Sequence, residues 1–546
     1  MTHCRSGCFH WPHGNLRSAL RRFARPLTCL MPLASDTMCS STFRLSKPRT
    51  DMGRIGVIGG GIGGLVAAIR LAAAGHRVDL FEQGQRLGGK LNRVVLDGST
   101  FETGPTLVTM PFVLDEVFAS VGARREEYIT LKRVDPACQY RWTDGARLDL
   151  PFAPDDVIDA IERFSPGQGQ AARRYLEHAR KVYELTKDVF IFGSFDGLAE
   201  LIKRRNLPLL PSLPKLRPFS TLHAHNASYF SDPRLVQLFD RFATYNGSTP
   251  FRAPATLMVI PWVEIGFGAW YPQGGMHAIA DGLHRLAEEV GVRVHLETGV
   301  KKILTRNRRV CGLELRSGER IDADHVVSNA DVWVTRHQLL GLPAKPPADP
   351  SCSGLVMHIS TDRVERGMTQ HTILFSDNYR AEFEAIRHSD HPDAGATVYI
   401  SRSCMADPSL AAEGKENWFV LVNAPANGIG ATDGLTEKSA WRGREHERAE
   451  TVLRRMEAFG LRPHIHAMGV RTPDTMARQW STDRGSLYGA SSNTPWSAFL
   501  RPRQRSRDVQ NLWYVGGSSH PGGGIPLVAT SGMIAANQIL TTFSQS

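Results

Sequence analysis

The sequence predicts an α/β chain whose main domain is a doubly wound parallel sheet and whose second domain mixes sheet and helices. Three observations carry that reading. A β-α-β unit is legible from Arg54 to Glu82, strand and helix patterns of the same kind return mid-chain and near the C-terminus, and the stretches between differ in texture. The chain therefore weaves between two domains.

The first unit has an apolar strand from Ile55 to Ile58, a glycine turn from Gly59 to Gly64, an amphipathic helix from Leu65 to Ala74 and a second strand from Arg77 to Phe81. Pieces of this length suit a parallel pair joined by a right-handed crossover. Further on, a helix is expected from Gly275 to Glu289, a strand from Val292 to Leu296, a hairpin-like pair around Ile303 to Asn307 and Val310 to Leu315, and a strand from His325 to Val327. Leu512 to Val515 reads as strand and Leu527 to Leu540 as helix, with a glycine loop between them. The nucleotide-type domain is thus expected in three segments, 52–148, 271–345 and 501–546. The second domain takes 149–270 and 346–500, and residues 1–51 fall outside the fold.

At 546 residues the chain has room for two to four structural units, on a prior of about 150 residues per domain. With 42% hydrophobic and 22% charged residues it reads as globular rather than disordered. The net charge of +11 is concentrated: residues 1–51 hold eight Lys/Arg against two Asp, a net of +6, which leaves +5 for the other 495 residues. No basic stripe interleaved with aromatics remains, so nucleic-acid binding is not expected. Cys138, Cys311, Cys352 and Cys404 are scattered through the body without C-x-x-C or His-paired spacing, which reads as reduced thiols with no zinc site or other metal. The Arg-rich, acid-poor extension fits either an organelle transit peptide or a start assigned upstream of Met52. No run of 18 apolar residues escapes helix breakers, so no spanning helix is expected. The tail after Asp508 lacks charged residues yet is cut by Gly516, Gly517, Gly522, Gly523 and Gly524, as suits backbone buried against a ligand.

Gly59, Gly61 and Gly64 occupy the three positions of the dinucleotide fingerprint. The first permits the tight turn, the second lets backbone approach a pyrophosphate, and the third lets helix pack on strand. Glu82 ends the second strand, placed for a ribose diol, and an acid there disfavours a 2′-phosphate. Four residues later begins Arg86-Leu87-Gly88-Gly89-Lys90, in which Gly88, Gly89 and Lys90 offer backbone N–H groups and charge to a phosphate.

The order of these motifs resembles the glutathione-reductase-like FAD fold, and in particular the amine oxidase and phytoene desaturase superfamily. Phe101-Glu102-Thr103-Gly104-Pro105-Thr106 is similar to the next signature of that group, Glu297-Thr298-Gly299-Val300 to a later one, and Ser328-Asn329-Ala330-Asp331 to another. The stretch Asn511 to Leu527, with Gly516, Gly517, His520, Gly524, Ile525 and Pro526, closely resembles the C-terminal flavin signature of bacterial carotenoid desaturases. Gly485 to Gly489, Phe499 to Pro502 and Trp270 to Met276 also resemble that family. The resemblance runs from about Arg54 to Leu540.

That resemblance implies FAD as cofactor, with Gly104, Pro105 and Thr106 passing the flavin, Val300 touching adenine through its backbone, and Gly516, Gly517, Gly524, Ile525 and Pro526 closing the site. It implies removal of hydrogens from a phytoene-, neurosporene- or lycopene-type polyene in carotenoid biosynthesis. A terminal oxygenase and a redox-neutral isomerase of the same family are the alternatives, with an amine oxidase further off. Flavin would supply the hydride acceptor that no side chain can provide. The family's acid/base pair is not reproduced at Ser194 to Glu200, so no catalytic residue is assigned. His520 either orients the loop before Pro521 or acts on a proton. Gly522-Gly523-Gly524 leans toward later-acting desaturases and terminal-methyl oxidising enzymes. An insoluble substrate implies peripheral contact with membrane lipid, on the cytoplasmic face in a bacterium or in an organelle if the extension is a transit peptide. The Leu207 to Pro214 stretch between basic clusters reads as a linker or a bilayer contact. The terminal electron acceptor, oxygen or a quinone, is left open by the sequence.

Overall fold

The computed structural model describes residues 53–195, 197, 215–362, 367–388, 395–428 and 439–545. The extension 1–51, the Leu207–Pro214 stretch and most of the Ser194–Glu200 stretch lie outside these.

Five short strands form one parallel sheet in the order Leu512–Tyr514, His325–Ser328, Arg54–Ile58, Arg77–Phe81, Arg293–His295. They come from three distant parts of the chain, as the weaving pattern predicts. The central strand is buried at every position but Arg54, the signature of a strand covered on both faces. One face carries the helix Ile62–Ala73, packed between Ala278–Glu289 and the C-terminal helix Ile525–Gln545. The other carries an antiparallel meander, Val300–Arg306, Arg309–Leu315 and Arg320–Asp322. Gly56 admits this meander, because a Cβ there would come within 2.8 Å of Leu313.

Element ends shift for identifiable reasons. The first helix begins at Ile62, three residues before the expected Leu65, since Gly59 alone among the loop glycines takes a positive φ, +88°, and Gly61 already caps the helix. The helix expected from Gly275 starts at Ala278, because Gly274 and Gly275 sit at φ +85° and +96°.

The second sheet has seven strands, in the order Ile465–Arg471, Ser353–Thr361, Glu416–Ala424, Val398–Arg402, His371–Leu374, Cys138–Arg141, Arg147–Leu150. The Cys138–Leu150 hairpin belongs here, so strand pairing moves the boundary expected after residue 148 back before Cys138. Alternation along the strands assigns two faces. Leu355, Met357, Val420, Val422 and Ile400 pack under the helix Glu445–Glu457. Val356, Leu421, Tyr399, Ile373 and Tyr140 form a cross-strand row on the opposite face, beneath a layer that includes the helices Pro154–Phe164, Gly169–Thr186, Pro233–Asp240 and Val259–Phe267. The described cysteines are free thiols. Among the described residues no helix is long and apolar enough to cross a membrane.

The close contact between the helices Ile62–Ala73 and Ile525–Gln545 is testable. A Cβ at Gly532 would lie 2.5 Å from the Gly63 carbonyl oxygen and 3.0 Å from Val66. Gly532→Val is expected to force the C-terminal helix off the glycine-loop helix at a cost of about 2 kcal/mol, read as a lowered midpoint of thermal unfolding.

Candidate active site

The first strand delivers its glycine loop over the carboxyl end of the parallel sheet. Gly59 N–H donates to Phe81 O at 2.8 Å, and Gly60 N–H donates to the Glu82 carboxylate at 2.8 Å. The other Glu82 oxygen accepts from Gly84 N–H at 2.8 Å. Glu82 is thereby fixed at the cleft with lone pairs to spare for a diol. Gly88, at φ +110°, donates to Gly60 O at 2.8 Å, so the second glycine motif lies directly on the first. The helix N-cap Gly61 has no side-chain cap and the first turn has no acid, which leaves its N–H groups for an anion.

The other walls come from segments far apart in sequence. Gly104 approaches so closely that a Cβ would lie 2.4 Å from Lys90 O. Val300 opens the meander beside Glu82, whose backbone oxygen accepts from Thr298 N–H at 2.8 Å. Gly516 takes φ +99° and Gly524 φ +100°, and Ile525 and Pro526 start the C-terminal helix. A Cβ at Gly524 would meet no atom within 4 Å, so what its absence keeps clear is space rather than packing. Arg501 is buried here and donates to the carbonyls of Tyr488 at 3.0 Å, Gly517 at 3.3 Å and Ala490 at 3.3 Å. Burial pulls its pKa down to about 10. The Lys90 ammonium donates to Leu487 O at 2.5 Å, and burial lowers it to about 8 against the opposing pull of Asp331.

This cleft continues into a chamber against the second sheet, and the two form one cavity of about 680 Å³. Leu257, Ile260, Val263, Ile373, Phe419 and Leu421 give the chamber its apolar wall. Polar groups enter at chosen points. The Thr106 and Tyr399 hydroxyls are 2.5 Å apart, and Tyr399 is 2.8 Å from His371 Nδ1; burial drives His371 down to about 3, keeping it neutral. Arg241, Tyr245 and Glu264 form a hydrogen-bonded group in the wall. A helix N-terminus free of acids, a carboxylate for a ribose, glycine cradles and an apolar extension fit a flavin dinucleotide together with a hydrophobic substrate.

Comparison with known proteins gives the same answer independently. The family profile described as flavin containing amine oxidoreductase matches residues 62–540. The chain belongs to that family. A 1-hydroxycarotenoid 3,4-desaturase from Flavobacterium sp. is 36% identical over 491 residues, 89% of this chain and 99% of that protein. A 4,4′-diapolycopene oxygenase from Methylomonas sp. is 33% identical over 495 residues, 90% of this chain and 98% of that protein. Among solved structures, an oxidoreductase from Methanosarcina mazei shares the fold with a TM-score of 0.57 at 18% identity, covering 89% of this chain and 100% of that one. This family member is an FAD-dependent oxidoreductase.

The predicted residues converge. Gly59, Gly61, Glu82, Gly88, Gly89, Lys90, Gly104, Pro105, Thr106, Val300, Gly516, Gly517, Gly524, Ile525 and Pro526 all line the cavity. Gly64 does not. A Cβ there would lie 2.3 Å from Gly59 O, so it serves helix-on-strand packing, the task its motif position assigns. His520 also stays out of the wall: it is 3% exposed, and its Nε2 lies 2.9 Å from Gly193 O, an anchor for the loop. Sequence reasoning missed Arg241, Glu264, Tyr399 and His371, none of which sits in a recognisable motif. An exposed group with metal-ligand geometry, Asp362, His464 and His466, lies apart from the cavity wall.

Two outcomes follow from this geometry. Gly64→Val is expected to push the helix N-terminus away from the cleft and yield protein without flavin absorbance, the thermal midpoint reporting whether the fold survives. Glu382, buried behind the wall and accepting from Thr397 N–H at 3.0 Å and its hydroxyl at 2.7 Å, is raised by burial to about 7. Because the folded value exceeds the unfolded one, its contribution to stability is complete below the ordinary 4.5 and is lost as pH rises through about 7. Glu382→Gln is expected to flatten that decline in denaturant titrations between pH 5 and 8.

Proposed function

We propose that this oxidoreductase is a carotenoid desaturase, removing two hydrogens from adjacent carbons of a long polyene of the phytoene, neurosporene or lycopene type. The observation that carries the reading is the continuity of the dinucleotide cleft with an apolar chamber. Two relatives that match nearly end to end act, by their names, on carotenoids or the related diapolycopene. FAD, when bound, supplies the hydride acceptor.

The chain's own residues bind, orient and exclude water. In this reading the helix N-terminus at Gly61, with Gly88, Gly89 and Lys90, holds the pyrophosphate, Glu82 the ribose diol, and Val300 the adenine side. Gly59 sets the turn and Gly64 the helix seat. Gly104, Pro105 and Thr106 on one side, and Gly516, Gly517, Gly524, Ile525 and Pro526 on the other, frame the reacting end. The apolar wall holds the polyene in one orientation, a positioning effect that accounts for much of such a rate enhancement. A delocalised cation on a conjugated chain requires little further help, which suits a chamber whose wall tyrosine, Tyr399, is backed by a histidine, His371, that burial holds neutral.

A second reading is favoured by the 33%-identical oxygenase, since the same chamber could present a terminal methyl group. Peripheral contact with lipid belongs to either reading, and Phe219, 87% exposed close to Lys215 and Arg217, supports it. Oxygen or a quinone would take the electrons onward.

The test is expression from Met52 in a bacterium that accumulates phytoene, neurosporene or lycopene. Loss of two hydrogens per step with a red-shifted spectrum is the expected result; gain of oxygen would establish the oxygenase, and unchanged mass with altered geometry an isomerase.

A further inference from the structure

The strand Ile465–Arg471 begins with a fault in its ladder. Along most of its length it pairs in step with Ser353–Thr361, Met357 opposite Val470 and Ser360 opposite Ala467, but Thr361 then stands opposite Ile465. His466 is therefore an extra residue, a β-bulge on the edge strand of the seven-stranded sheet. Packing shows the same slip. Ile465, Met468 and Val470 all pack against the core under the helix Glu445–Glu457, although an odd step separates the first two. A slip of one residue exchanges the faces of a strand. In unbroken register Asp362 would share a face with Ile465 and stand away from both histidines. The bulge instead sets Asp362 opposite His464.

The result is a convergence of three side chains at the surface. His464 Nδ1 lies 3.0 Å from Asp362 Oδ1, and His466 Nε2 lies 3.1 Å from Asp362 Oδ2. The three potential ligand atoms all fall within 4.8 Å of one another. The two rings stand nearly perpendicular, at 84°, so the imidazoles do not stack on each other. They hold the Asp362 carboxyl below the usual carboxylate range, His466 first and His464 after it. As hydrogen bonds alone these contacts would gain little, because all three side chains are exposed and water competes for each of them. Asp97, at the tip of the hairpin Arg93–Glu102, lies close enough to feel the charge of His466, but its carboxylate is already held by Lys415 Nζ at 2.6 Å and Ser360 Oγ at 2.8 Å.

We infer that Asp362, His464 and His466 form a binding site for a divalent transition-metal ion of the zinc type, separate from the flavin cavity and independent of the desaturase reading. The donor set selects the ion. Two imidazoles and a carboxylate suit Zn²⁺ and its neighbours in the first transition row, whereas Mg²⁺ and Ca²⁺ take oxygen ligands. Zn–N and Zn–O bonds of about 2.0–2.2 Å put tetrahedral ligand atoms roughly 3.3–3.6 Å apart. The observed 3.0 and 3.1 Å need open only slightly to admit the ion. Three protein ligands leave a fourth position to water. The ion pins the end of one strand to the start of its neighbour across the bulge, where the ladder is locally disrupted.

The experiment uses the FAD-loaded full chain, stripped of metal with a chelator and titrated with ZnCl₂ by calorimetry. Beside it are run the double variant His464→Ala/His466→Ala and the single variant Asp362→Asn. Cys4, Cys8, Cys29, Cys39 and the exposed Cys311 can themselves take zinc, so the readout is the difference between proteins. The unmodified chain is expected to bind one zinc ion more than the double variant. Asp362→Asn is expected to weaken that site by at least about tenfold, since even an outer-shell partner of a metal site is worth that much. Excess Zn²⁺ should raise the thermal midpoint of the unmodified chain more than that of the double variant. All three residues are exposed and lie outside the cavity wall, so the FAD content of the variants is expected to match that of the unmodified protein. Equal zinc uptake by all three proteins, or Mg²⁺ displacing zinc from the site at equal concentration, would overturn the inference.

Discussion

Asn329 stands where three distant chain segments meet with no side chain but its own between them. Its backbone N–H donates to Ile58 O at 2.8 Å, and Cβ atoms at Gly61, Gly63 and Gly516 would come within 2.5, 2.9 and 2.7 Å of its amide. Only glycine tolerates that approach from three directions. The height of the glycine loop above the sheet, the aim of the helix behind it and the path of the C-terminal loop are all set by this contact. It sits at the point where the strand order reverses, with Arg77–Phe81 on one side of the first strand and His325–Ser328 on the other. That crevice is where a doubly wound sheet leaves room for a ligand.

A cofactor cleft becomes an oxidoreductase site only when a second wall is held against it, and here a few polar ties do the holding. His358 Nε2 lies 2.9 Å from Glu102 O, Thr106 meets Tyr399 at 2.5 Å, and Lys90 reaches Leu487 O at 2.5 Å. Each joins a loop or strand end of the nucleotide domain to the seven-stranded sheet or to the segment after it. Buried polar groups of this kind gain little in net stability when paired but cost heavily when misaligned. They therefore fix register more than they add free energy, and register between the two walls is what a positioning enzyme requires.

Much of this was legible in the sequence because the nucleotide half is governed by local rules. A turn that requires positive φ needs glycine, a short strand buried on both faces needs an unbroken apolar run, and both leave a readable pattern at Ile55–Gly64 and Leu512–Gly524. The chamber half follows long-range rules. Tyr399 faces the cavity because its strand lies between two others, and nothing in Val398–Arg402 announces that. The domain boundary expected after residue 148 misses the Cys138–Leu150 hairpin for the same reason: its partner strand, His371–Leu374, lies more than two hundred residues away. Arg241 and Glu264, 23 residues apart on different turns, are ordinary surface residue types until the fold buries them.

The balance between these halves bears on where selectivity can reside. A conjugated chain offers the protein only its shape, and dispersion along an apolar wall discriminates poorly between neighbours in a polyene series, since one methylene alters binding by only about 1–3 kcal/mol. What resists loosening of that wall is polar: the buried Arg241–Glu264 pair ties the Arg241–Asn246 turn to the helix Val259–Phe267 at 2.9 Å, and breaking a buried pair by removing one partner costs about 3–5 kcal/mol.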